Sequence, residues 1–219
     1  MYNPSSDTSE LYTESRVTGV SINLPAGDNA NYADVSFDFL GRDKAFYSAA
    51  NAPYFQSVSA GTTSQPVTLQ TGLLLVNGAI VGNITGAKID IKMDGSAKSA
   101  IGGAKSSAST TNPVYLPSAI VLGSTVVSGS INALYDGTGL EALFLAGGKV
   151  ELLLVAQVDG SGTSDAVVIY LKRALLTSGD KTFQGKADVP VTYTFSAEIP
   201  PAAPGYDTTT IRLQDTLGV

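Results

Sequence analysis

Apolar side chains recur at every second residue over most of this chain, and that period marks half-buried strands. Val189–Ile199 is the cleanest case. Val189, Val191, Tyr193, Phe195 and Ala197 share one face, and Thr192, Thr194, Ser196 and Glu198 share the other. Arg16–Leu24 sets Val20, Ile22 and Leu24 against Ser21 and Asn23. Tyr32–Leu40 sets Val35, Phe37 and Phe39 against Asp34, Ser36 and Asp38. The turn composition of Pro25–Asn29 between these two runs predicts an antiparallel hairpin with one core-facing apolar side. Val67–Val76 and Ile80–Met93 flank Asn77-Gly78, a pair suited to a tight hairpin turn. Val126–Tyr135, Val150–Val158, Ala166–Leu176 and Thr208–Leu213 read as further strands.

One segment breaks the pattern toward a helix. In Thr138–Ala146, Leu140, Leu143 and Phe144 fall on one helical face, and Gly147-Gly148 ends the run. The expected fold class is therefore all-β: two packed β-sheets (a β-sandwich) with one flanking α-helix and long loops. Three loops stand out. Residues 1–15 are polar and acidic and read as an N-terminal arm beside a single domain over 16–219. Gly41–Pro66 lacks clear periodicity but carries Phe46, Tyr47, Tyr54 and Phe55, aromatics that need a surface to bury against. Gly95–Asn112 is a Gly/Ala/Ser/Thr run that cannot offset its own ordering entropy, so it is expected to be either floppy in the free protein or ordered by a partner.

A faint echo runs through the strands: Val17-Thr18-Gly19, Ile84-Thr85-Gly86 and Val127-Ser128-Gly129. Glycine inside a strand predicts a bulge or a close backbone approach.

Composition excludes whole classes of chemistry. There is no cysteine and no histidine among the 219 residues. Disulfides, thiolate or histidine metal sites and histidine-based triads are thereby ruled out. Lys+Arg is 13 against Asp+Glu 19, a net charge of −6, which opposes wrapping of nucleic acid. Charged residues are only 15% of the chain, so either a neutral polar surface or cover by neighbouring copies is implied. The opening residues lack the basic cap and apolar core of a signal peptide. The longest apolar stretches, Leu73–Val76 and Leu152–Ala156, fall far short of the roughly 20 residues a membrane helix needs, and no membrane insertion is expected.

Apparent motifs fail one by one. Gly102-Gly103-Ala104-Lys105-Ser106 lacks the glycine before the lysine of a phosphate loop. Asp159-Gly160-Ser161-Gly162-Thr163 has the start of a calcium loop, but Tyr170 stands where its last carboxylate belongs. Asp34 and Asp38 share a strand face roughly 13 Å apart, at about 3.3 Å per residue, too far for a hydrolytic carboxylate pair. No enzymatic activity, cofactor or metal is expected.

The order of several phrases carries a resemblance. Val17–Leu24 (VTGVSINL), Val35–Asp43 (VSFDFLGRD), Val127–Gly137 (VSGSINALYDG), then the helix and Val150–Ala156, resembles the major tail tube proteins of long-tailed bacteriophages. More narrowly, it looks like the branch in which a strand with Thr-Gly near its start is followed by a hairpin return, here Phe39-Leu40-Gly41-Arg42-Asp43, and residues 1–15 have no counterpart placed in that family. The resemblance implies two packed sheets with a helix, and hexameric rings stacked into a tube. It further implies self-association, contacts with other tail proteins at the tube ends, and a virion location after assembly in the host bacterial cytoplasm. Double-stranded DNA would cross the lumen without specific binding. Neighbouring copies would then cover the weakly charged surface, with Phe46, Tyr47, Tyr54, Phe55, Lys98 and Lys105 as candidate inter-subunit residues.

A conduit for DNA should be lined by acidic or neutral groups, because lysine would hold the duplex. Asp34 and Asp38 are the candidate lumen residues, on the assumption that Val35, Phe37 and Phe39 opposite them are core. Asp90 is a weaker one, since Lys88 and Lys92 share its face. Two alternatives follow from the same residues. One is the tube of a contractile injection machine or a ring at a tail junction. The other, of a different class, is a carbohydrate-binding β-sandwich module, which the absence of tryptophan disfavours.

Overall fold

The computed structural model describes residues 2–3, 8–25, 32–48, 67–81, 84–99, 101, 116–135, 139–159, 165–181, 189–200 and 210–215. Among the described residues, thirteen strands and one helix follow in chain order: β1 (Tyr2–Asn3), β2 (Thr8–Thr13), β3 (Arg16–Pro25), β4 (Asp34–Leu40), β5 (Asp43–Ser48), β6 (Thr68–Val76), β7 (Ala79–Val81), β8 (Ile84–Lys98), β9 (Ala119–Leu134), α1 (Gly139–Leu145), β10 (Lys149–Gln157), β11 (Ala166–Lys181), β12 (Pro190–Ala197) and β13 (Arg212–Asp215). The protein is all-β with one helix. Its strands form a three-stranded sheet, β1-β2-β5, and a ten-stranded sheet ordered β4-β3-β8-β9-β12-β11-β10-β6-β7, with β13 paired to β11.

The chain divides into two compact units. The first comprises residues 1–19, 37–64 and 92–125; the second comprises 20–36, 65–91 and 126–219. Strands β3, β4, β8 and β9 contribute residues to both.

The second unit holds the hydrophobic core. Strand β10 alternates Val150, Leu152, Leu154 and Ala156 inward, and β11 answers with Ile169, Leu171, Ala174 and Leu176. Their antiparallel register sets Leu152 against Leu171 and Leu154 against Ile169. Ile22 and Leu24 of β3, Val191, Tyr193 and Phe195 of β12, and Ile131 of β9 join them, as the two-residue period required. Full burial of each valine, leucine, isoleucine or phenylalanine among them is worth about 1.5–3 kcal/mol.

The large sheet must turn back on itself within this unit. β7 and β8 stand six places apart in the strand order, or about 29 Å if the sheet were flat, at about 4.8 Å per strand. Only three Cα steps join Val81 to Ile84, at most about 11 Å of chain. The two layers of the expected sandwich therefore arise from one rolled sheet.

Helix α1 lies where Leu140, Leu143 and Phe144 required it. Leu140 is buried, Leu143 and Phe144 are half-buried against the core, and the Phe144 ring meets Tyr193 edge-on at 6.3 Å. Gly147 takes a φ of 61°, the left-handed conformation of a helix stop. Asn77 and Gly78 both have positive φ, 51° and 78°, as the β6–β7 hairpin demands.

Several boundaries differ from expectation. Ile80–Met93 is not one strand: β7 ends at Val81 and β8 begins at Ile84 beside β3 and β9. Residues within 1–15 form β1 and β2, and β2 pairs antiparallel with β5, which lies inside the presumed excursion 41–66. Leu11 and Tyr12 carry too little apolar alternation to announce β2, and its pairing with β5 supplies what local sequence lacks. β8 runs on to Lys98, into the low-complexity run, and the rest of 100–115, save Ile101, lies outside the described residues.

Candidate assembly surface

Strand β4 corrects the reading of its own alternation. Val35, Phe37 and Phe39 do share a face, but they are 50%, 54% and 62% exposed, so that face is not core. Asp34, Ser36 and Asp38 are exposed as well. β4 ends the strand order, with only β3 beside it, and six of its seven residues are exposed. A period of two reports which side chains point together; it does not report that the same chain covers them. The assumption behind choosing Asp34 and Asp38 is thus removed, while their exposure stands.

Each acid has a defined setting. Asn23 Nδ2 donates to Asp34 Oδ2 at 2.9 Å. Thr18 Oγ1 donates to the Asp38 backbone oxygen at 3.3 Å, and the Asp38 carboxylate lies over Gly19, where a Cβ would come within 2.7 Å of it. Asp90 is ion-paired with Lys88 at 3.2 Å, the cancellation its neighbours foretold.

Tyr12, Phe37, Phe39 and Phe46 are exposed aromatics of the first unit, and Tyr32 and Tyr135 are exposed in the second. Phe37 and Phe39 stand 6.2 Å apart. Tyr12 of β2 is 52% exposed and Phe46 of β5 is 53% exposed. Lys44 Nζ lies 4.7 Å from the Phe46 ring centroid, a cation–π contact. The Tyr12 hydroxyl donates to Glu10 Oε2 at 2.8 Å, and that bond to a carboxylate raises its pKa. A cavity of about 730 Å³ opens here, lined by Tyr12, Ser15, Phe39, Gly41, Arg42, Asp43 and Lys44. Tyr47 is half-buried on β5. The exposed Lys98 accepts two hydrogen bonds at its carbonyl, from Ser118 N at 2.7 Å and Ser118 Oγ at 2.8 Å. Tyr54, Phe55 and Lys105 lie outside the described residues. Sequence reasoning missed Tyr12 and Phe39 as surface aromatics; the signal that could have found Phe39 was its place on a strand carrying two aspartates.

The second unit meets water through ion pairs. Lys181 bonds Glu141 of α1 and lies 4.2 Å from the Tyr135 ring centroid. The Lys181 hydrogen bond holds the Glu141 carboxyl below its usual range, and in return Glu141 raises Lys181. Glu198 bonds Lys149 and stands 3.2 Å from Arg173, and these cations lower its pKa, Lys149 foremost. Lys172 is raised by Tyr170 and by Glu151, which is 3.2 Å away.

Comparison with known proteins gives the family. No curated protein matches the chain. A solved structure similar to it is the anti-feeding prophage cap, a tube-terminating cap determined by cryo-EM. Its identity is 11%, its TM-score 0.47, and the likeness covers 75% of this chain and 99% of that one. The family model described as phage tail tube protein matches residues 2–197, which takes in β1 to β12 and α1. With nearly the whole length matched, the chain belongs to the phage tail tube protein family.

Proposed function

We propose that copies of this chain join side by side into hexameric rings and stack into the tail tube of a virion. The tube is a passive conduit through which double-stranded DNA leaves. The family match across residues 2–197 is the observation that carries this reading. Ring closure and stacking use unlike patches on each copy, so every copy needs surfaces that are incomplete alone. β4 is such a surface, with one strand neighbour and half-exposed Val35, Phe37 and Phe39. An exposed apolar edge strand is a template for pairing with another chain.

The role assigned to DNA is that of cargo. A net charge of −6 gives no counterion-release drive for holding the duplex. Asp34 and Asp38 are the proposed lumen acids, and the paired Asp90 contributes less. Phe46, Tyr47 and Lys98 are proposed inter-subunit residues, together with Tyr54, Phe55 and Lys105. Other tail proteins would close the tube ends, and assembly would take place in the host cytoplasm. Sedimentation velocity over a range of concentrations tests the proposal. Species at ring and tube masses that grow with concentration support it; a single monomer boundary throughout opposes it.

A further inference from the structure

The phrase Gly41-Arg42-Asp43 marks the resemblance, yet nothing in a conduit explains an arginine there. Its contacts do. The Arg42 side chain, 21% exposed, reaches two acceptors in different directions: its Nη1 donates to the Glu14 carboxylate and its Nε to the Pro117 carbonyl oxygen. The Arg42 backbone N–H donates to the Thr13 carbonyl at 3.3 Å. Three chain segments therefore meet on one residue: the end of β2, the β4–β5 turn and the approach to β9.

The surroundings are shaped for this meeting. Glu14 holds a φ of 51°, a left-handed conformation that a non-glycine residue adopts at a cost. That turn swings its carboxylate to Arg42. Gly41 leaves room for Ser15, whose Oγ would stand 3.3 Å from a Cβ at that position. Thr13 Oγ1 donates to the Asp43 carbonyl at 3.5 Å, and Asp43 Oδ1 accepts from Lys44 N at 2.8 Å.

We infer that Arg42 is the clasp of a strap: it fastens β2 against β5 through Glu14 and Thr13, and anchors both to the chain at Pro117. Tyr12, one residue before the clasped segment, shares the cavity wall with Phe39, so the clasp also sets the position of that aromatic wall. The strap opens by local release of the β1-β2-β5 sheet and leaves the core of the second unit folded. A guanidinium fork serves two acceptors at once; an ammonium on a flexible stem does not replace it.

Hydrogen exchange of the full-length chain, read by mass spectrometry, tests this. Arg42→Ala and Arg42→Lys should each speed exchange at 8–13 and 43–48 at least tenfold, with residues 150–156 and 166–176 unchanged. Glu14→Gly removes the carboxylate, suits the positive φ and keeps the Pro117 bond, so it should give a smaller rise confined to the same peptides. Three results would overturn the inference. One is unchanged exchange at 8–13 in Arg42→Ala. Another is an equal rise over all peptides, which would make Arg42 a residue of general stability. The third is exchange at 8–13 that is already unprotected in the wild-type chain.

Discussion

The carbonyl oxygen of Lys88 on β8 occupies the place where a side chain on Gly129 of β9 would begin. A Cβ there would sit 2.1 Å from that oxygen and 2.5 Å from Cζ of Phe195. The backbone can give little, because Phe195 is buried and registered opposite Gly129. Gly129→Ala should therefore cost about 1–3 kcal/mol or more, in line with overpacking of a full core. Gly148 has nothing within 4 Å, and Gly148→Ala should stay within about 0.5 kcal/mol of wild type. Urea titration of both variants checks the contrast.

Helix α1 offers a graded test. Leu140 is 3% exposed, so Leu140→Ala should cost about 2–5 kcal/mol. Phe144 is only half-buried, and its loss should fall below the about 3–5 kcal/mol expected of a fully buried phenylalanine. A Phe144→Ala variant indistinguishable from wild type in the same titration would mean the Tyr193 contact contributes nothing.

The Glu141–Lys181 pair predicts a pH dependence. Glu141 has a folded pKa below its ordinary 4.5, so the folded state favours its ionised form. Its contribution is present above about pH 4.5 and is lost as pH falls through the lower folded value. Lys181, raised above 10.5, sets the alkaline limit, where the contribution is lost as pH rises through the folded value. Glu141→Gln should be less stable than wild type near neutral pH, with the difference closing in acid. A difference constant between pH 2 and 7 would contradict the pairing.

The lumen proposal concerns charge. Virions whose tube carries Asp34→Lys and Asp38→Lys should eject DNA more slowly at low salt, with the defect relieved as salt screens the new charges. Unchanged ejection at low salt from fully assembled particles would remove both residues from the lumen.

Much of the fold was legible because a period of two is a local signal that tertiary packing then obeys. β3 buries Ile22 and Leu24 and β12 buries Val191, Tyr193 and Phe195, with Val20, Val189 and Ala197 of the same faces partly buried, and Leu140 and Asn77-Gly78 sit as their spacing required. Two things were not legible. β2 and β5 have little apolar alternation of their own and exist as a pair, so the pairing of Glu10 with Phe46 could not be read from either segment. β4 failed differently: Val35, Phe37 and Phe39 alternate as core residues do, yet they stay exposed. A surface completed by another molecule and a surface completed by the same chain have the same sequence pattern. Asp34, Asp38 and Phe46 were named from sequence and stand exposed, whereas the Arg42 contacts depend on Glu14 and Pro117, remote in sequence and invisible to any local motif.

That ambiguity over β4 makes self-assembly the point to measure. Electron microscopy of the purified full-length chain, beside a Phe37→Ser/Phe39→Ser variant, tests it most directly. The account predicts rings or tubes for the wild type, and a variant that keeps its unfolding midpoint but stays monomeric, because both side chains are exposed in the lone chain. Uniform monomers in the wild type at every concentration, or normal tubes from the variant, would contradict it.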